Sequence, residues 1–147
     1  MDKINTTKVY LMGFFGAAGS LIAHFFGGWT SDLATLIIFM GIDFLMGFLI
    51  AAIWKKSGKS ETGALSSWSA WKGLCRKCIS LLFVLIAYRL DMALGVNYIR
   101  TAVIIAFIVN ELISIVENAG IMGVPIPGAI TRAIDILKRK SEDNANE

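Results

Sequence analysis

LIIFMGIDFLMGFLIAAIW, Leu36 to Trp54, sets a single carboxylate, Asp43, inside an otherwise apolar run. A helix of this sequence carries Leu, Ile, Phe and Met on every side, so Asp43 has no polar face on which to meet water. Either the run lies in a membrane or the carboxylate has a buried partner. Taken from Leu33, the run is close to the ~20 residues a helix needs to cross ~30 Å of hydrocarbon.

The rest of the chain favours the membrane. Its 147 residues are 56% hydrophobic and only 17% charged, with a mean hydropathy of +0.66. A soluble chain this short could not hide that much apolar surface. Working outward from Asp43, the spans fall at about residues 9–26, 33–54, 74–95 and 98–117. The third becomes long enough only by starting near Leu74 and running past Arg89 and Asp91, so three spans is the rival count. The expected fold is an all-α integral membrane protein, with residues 1–120 as the transmembrane helical domain.

Basic residues orient the spans, because Lys and Arg in short loops collect on the cytoplasmic side. Lys55, Lys56, Lys59 and Lys72 occupy the second connection, and Arg76 and Lys77 follow it. Four spans place this loop, the N-terminus (Lys3, Lys8) and the tail (Arg132, Lys138, Arg139, Lys140) all inside, and leave the outer Gly27–Asp32 turn without a cation. Both termini are therefore expected in the cytoplasm. The net charge of +3 then reports topology and attraction to anionic lipid, and no aromatic-basic pattern points to nucleic acid. Val9–Phe26 reads as a permanent helix, since its apolar core is long for a signal peptide and Phe25-Phe26 is a poor cleavage site.

Gly58–Ser69 reads as a flexible linker that grades into Leu65, Trp68, Trp71 and Leu74, an interfacial anchor at helical spacing. After Val116, ENAGIMGVPIPG ends the last span and turns the chain at Gly123, Pro125 and Pro127. Residues 121–147 form the cytoplasmic part. Ile130, Ile134 and Leu137 recur at i, i+4 and i+7, which predicts a short amphipathic helix on the inner membrane surface, and Ser141–Glu147 reads as a disordered tail.

Asp43, Gly47 and Ala51 share one helix face, a carboxylate followed by two small residues. Glu111 lies ten residues into the last span, as Asp43 does in the second, so both acids sit ~15 Å deep. Each costs about 2.5–3.5 kcal/mol if ionised in lipid and should face protein or water, or be protonated. Asn110 or a protonated Glu111 is the expected partner of Asp43. Ala102, Ala106, Asn110 and Ser114 form a small and polar stripe flanked by Glu111 and Glu117. Gly13, Ala17, Ser20 and His24 form another on the first span. Such faces suit helix contact or a water-filled path, and both readings stay open.

Chemistry-bearing clusters are otherwise missing. His24 is the only histidine and cannot build a metal site alone. Cys75 and Cys78 have C-x-x-C spacing without a βαβ context or further zinc ligands. With no nucleophile–base pair and no phosphate loop, no enzyme, cofactor or metal is expected.

The Gly27–Trp29 turn, IDFLMG (Ile42–Gly47), LSSWSAWKGLCRK (Leu65–Lys77) and NELISIVENAGIMGVPIP (Asn110–Pro127) together resemble the phage holins of the toxin secretion/phage lysis family. In that resemblance Asp43 and Gly47 match Asp-aromatic-x-x-Gly. Asn110, Glu111, Ser114, Glu117 and Asn118 match Asn-Glu…Ser-x-x-Glu-Asn, and Gly123, Pro125 and Pro127 match Gly-x-Pro-x-Pro. Phe44 and Met46 stand where the family leads one to expect Tyr and Thr. The resemblance implies a protein that oligomerises in the bacterial cytoplasmic membrane and opens a timed lesion. Its implied partners are further copies of itself, lipid, a released endolysin or large toxin, and an antiholin. A small transporter or ion channel using Asp43 and Glu111 is the alternative, and a membrane adaptor with a docking loop a third.

Overall fold

The computed structural model describes residues 6–54 and 67–143, and no β-strand occurs among them. Five helices follow in order: α1 (Thr6–Phe25), α2 (Ser31–Leu49), α3 (Ser67–Leu94), α4 (Ile99–Ile121) and α5 (Gly128–Asp143). A π-helical turn, Ile50–Trp54, carries α2 onward. Apart from Ser67–Ser69, the expected Gly58–Ser69 linker lies outside the described residues, as does Leu65. α1 forms one unit and the chain from Ser31 a second.

α1 buries none of its residues, and Tyr10, Met12, Phe14 and Phe15 are all exposed. Gly27, at φ 80°, takes the left-handed conformation that ends the helix, and the Gly28 N–H donates back to the Ala23 carbonyl at 2.8 Å.

In the second unit α4 is the central element, packing against both α2 and α3, which touch each other far less. The reason lies in the spacing of the buried residues. Leu33, Leu36, Met40 and Asp43 of α2 and Ile50 of the π-helical turn recur at three- and four-residue steps or their sum, which puts them on one seam. Val84, Ala87 and Asp91 continue such a seam on α3, and Arg100, Ile104 and Glu111 on α4. Charged residues therefore occupy core positions on all three helices.

α3 starts seven residues before the expected Leu74, because the Trp68–Leu74 anchor is itself helical and Lys72 lies over the Trp68 ring, 5.3 Å from its centroid. α4 runs on to Ile121, past the expected end at residue 117, since Ala119 and Gly120 do not by themselves break a helix. The stop is Gly123, at φ 76°, with the Val124 N–H donating to the Ala119 carbonyl at 3.0 Å. Pro125 and Pro127 follow in the turn, and the Pro127 carbonyl accepts from the Ile130 N–H at 2.9 Å, opening α5.

The expected amphipathic helix is present as α5, with Ile134 buried and Ile130 exposed; the Leu137 side chain lies outside the described residues. Ser141–Asp143, expected in a disordered tail, continue α5, because its polar sequence is helix-compatible, and residues 144–147 lie outside the description.

α1, Ser31–Ile53 and α4 are long and apolar enough to cross a membrane. α3 has the length, at 28 residues, but carries Lys72, Arg76, Lys77, Arg89 and Asp91.

Candidate functional site

The site is built where the three seams meet. Asp43 lies midway along α2 and is only 4% exposed. Lys77 Nζ, from α3, donates to Asp43 Oδ2 at 2.9 Å and to Glu111 Oε2 of α4 at 2.5 Å. Asn118 Nδ2, two turns further along α4, donates to Asp43 Oδ1 at 2.8 Å. Both oxygens of Asp43 are thus engaged, and one ammonium serves two carboxylates. Such a cluster is tolerable out of water because opposite charges and hydrogen bonds replace hydration, whereas any one of these ions left alone would not be.

A second polar layer ties the same helices at the end where α2 and α4 begin. Asp91, 6% exposed at the end of α3, accepts from the Ile99 N–H at Oδ1 and from the Arg100 N–H at Oδ2, both at 2.9 Å. These amides belong to the first turn of α4 and have no partner within their own helix, so Asp91 caps α4 from outside it. Gly95, at φ 69°, reverses the chain between them, with the Val96 N–H donating to the Asp91 carbonyl at 3.0 Å. Arg100 Nη1 lies 3.9 Å from Asp32 Oδ2. The Asp32–Arg100 and Asp43–Lys77–Glu111 contacts together run α2 and α4 in the same direction, with α3 antiparallel between their ends.

Beside Lys77 lies a groove of about 530 Å³ lined by α2, α3 and α4. Asp43, Gly47 and Ala51 line it from α2, Gly73, Arg76 and Ser80 from α3, and Asn110, Glu111 and Ser114 from α4. Phe44, Phe48, Phe83 and Phe107 supply its apolar wall. Polar groups and small residues are among its lining, so the groove admits a polar guest or a closely approaching helix.

Six of the eight helix-contact or pore-lining candidates from the sequence come together here: Asp43, Gly47, Ala51, Asn110, Glu111 and Ser114. Ala106 and Glu117 do not line the groove and are exposed on α4. The turn residues Gly123, Pro125 and Pro127 serve the α4–α5 connection instead. Asn110 is not the partner of Asp43; it is exposed at the groove, and Asn118 makes that bond instead. Glu111 meets Asp43 through Lys77 rather than directly, because the ammonium lies between them.

Lys77 is the residue that sequence reasoning missed. Its place in a basic cluster reads as a topology signal, yet Val84 and Asp91 at i+7 and i+14 put it on the buried seam of α3. Cys75 and Cys78 are free thiols, half-buried and exposed, and no group of three metal-ligating side chains occurs among the described residues.

Residues 20–139 match the family described as the bacteriophage holin family. The chain belongs to the bacteriophage holin family. It is also similar to an uncharacterised protein of Listeria innocua, 34% identical over 92% of this chain and 89% of the relative. An uncharacterised 14.9 kDa protein of Clostridium perfringens is 36% identical over 83% of this chain and 88% of its own. A relative from Bacillus phage phi105 named a probable holin is 32% identical over 58% of this chain and 70% of its own. No solved structure matches. Membership makes the chain a holin-type membrane protein, and the polar seam is how this holin-family member carries charge within apolar helices.

Proposed function

We propose that this protein oligomerises in the bacterial cytoplasmic membrane and opens a timed lesion. Through it an endolysin, or a large toxin, leaves the cytoplasm and the cell lyses. The carrying observation is the inward polar seam: Asp43, Lys77 and Glu111 satisfy one another between helices whose other faces are apolar and exposed. In lipid that arrangement holds a bundle together while leaving it free to associate through its outer surface.

The same seam supports α3 as a fourth crossing helix. Two of its five charges are answered within the bundle, Lys77 by two carboxylates and Asp91 by the amides of α4. Four crossings place both termini and the 55–66 connection in the cytoplasm, in line with their basic residues. No catalytic role is proposed, and the partners are further copies, lipid and the released cargo, with an antiholin as a regulator.

A transporter or ion channel using Asp43 and Glu111 is the second reading, favoured by the groove that reaches both acids. Lys77 weighs against it, since a tethered ammonium already occupies the place of a travelling cation. Induction alongside an endolysin that lacks an export signal separates the two. Abrupt loss of membrane potential followed by lysis is expected. A slow, graded ion leak that never releases the endolysin would favour the transporter.

A further inference from the structure

Asp43 is bonded from two other helices. Its Oδ2 binds Lys77 of α3 and its Oδ1 binds Asn118 of α4. The chain neighbours of these two, Arg76 near the start of α3 and Glu117 near the end of α4, therefore lie toward the same end of this antiparallel pair. Both are exposed, they carry opposite charges, and neither has an ion pair among the described residues. They stand near the ends of neighbouring helices, where opposite charges left open on one copy complement those of another.

We propose that Arg76 of one copy pairs with Glu117 of a neighbouring copy, so that the groove edge of α3 and the Ala106–Asn110–Glu117 face of α4 form the contact between subunits. This rests on the oligomerising membrane protein proposed above and names the surface it uses. A copy related by an axis along the membrane normal keeps every residue at its own depth, which lets Arg76 and Glu117 meet without either helix shifting. The surroundings suit close approach. Ala106 and Asn110 are exposed on the same side of α4 as Glu117, and Gly73 and Ser80 flank Arg76 along the groove. Small side chains there let backbones come near, and the opposite charges favour and orient that approach.

Charge exchange between differently tagged copies tests the pairing. Arg76→Glu and Glu117→Arg chains are expressed separately and together, and amine-independent photocross-linking and affinity pull-down are scored in isolated membranes at equal membrane content. Each variant alone should lose most of its cross-linked species, because every contact then sets like charges together. Co-expressed, the two should associate with each other at near wild-type yield, which a contact within one chain could not produce. Single variants that cross-link as wild type would overturn the pairing while leaving an oligomer in place. Wild type that yields no cross-linked species would instead remove the oligomerising reading itself. Variants that fail alone and are not restored together would also overturn the pairing.

Discussion

Lys77 Nζ of α3 lies 2.9 Å from Asp43 Oδ2 of α2, joining two helices that otherwise pack mainly against α4. Removing the ammonium leaves Asp43 and Glu111 buried with their common counter-charge gone. Lys77→Met should cost about 3–5 kcal/mol of stability, the usual penalty for breaking a buried ion pair from one side. Lys77→Arg, which keeps the charge, should cost less. Thermal melting of the purified protein in micelles reads both, and a Lys77→Met protein that melts like wild type would take the triad out of the stability account.

Asp43 can act as packing glue or through its charge. Asp43→Asn retains shape and hydrogen bonding, while Asp43→Leu retains neither, leaving Asn118 without its acceptor and Lys77 with Glu111 alone. If the residue is glue, Asn should lyse cells nearly on time and Leu should fail or trigger at the wrong time; if the charge is required, both should fail alike. Gly47→Leu, on the same groove, tests close approach without touching charge. Asn118→Ala should lose about 1.5–3 kcal/mol, the range for a hydrogen bond to a charged group.

The cap supplied by Asp91 makes a local prediction. Asp91→Ala should destabilise the bundle by about 0.5–2 kcal/mol, as lost helix caps do. Hydrogen exchange should accelerate first at the amides of Ile99 and Arg100, which donate to this carboxylate. Unchanged protection at those two amides would show that α4 starts without it.

Cysteine labelling in a background lacking Cys75 and Cys78 tests the four-crossing arrangement. A thiol at Thr30 should react with an impermeant reagent in intact cells, and one at Ser60 or Asn144 should react only after the membrane is opened. The reverse pattern, with Ser60 or Asn144 labelled from outside, would show that α3 does not cross or that the bundle is inverted.

Much of this is legible in one dimension. Spans at 9–26 and 33–54 nearly match α1 and α2 with its π-helical turn, because an apolar run of membrane length declares itself by composition. Asp43 and Glu111 stand out for the same reason, as lone carboxylates in runs that cannot solvate them. The amphipathic α5 follows from the spacing of Ile130 and Ile134. Ala106 and Glu117 share the stripe of Asn110 and Ser114 in the sequence, yet fall outside the groove lining, since a stripe read from spacing cannot say where along it a neighbouring helix will form a groove.

Local periodicity thus determined the helices, their apolar length and the positions of the two acids along them, since each depends only on residues close along the chain. Tertiary structure alone decided that Lys77 serves both carboxylates, that Asn118 rather than Asn110 completes Asp43, and that Asp91 caps α4. Several polar groups lie within reach of Asp43 by depth alone. Which of them bonds it depends on the rotation and axial shift of α2, α3 and α4 against one another, and those are set by the packing of the whole buried seam, from Leu33 and Leu36 through Val84 and Ala87 to Ile104.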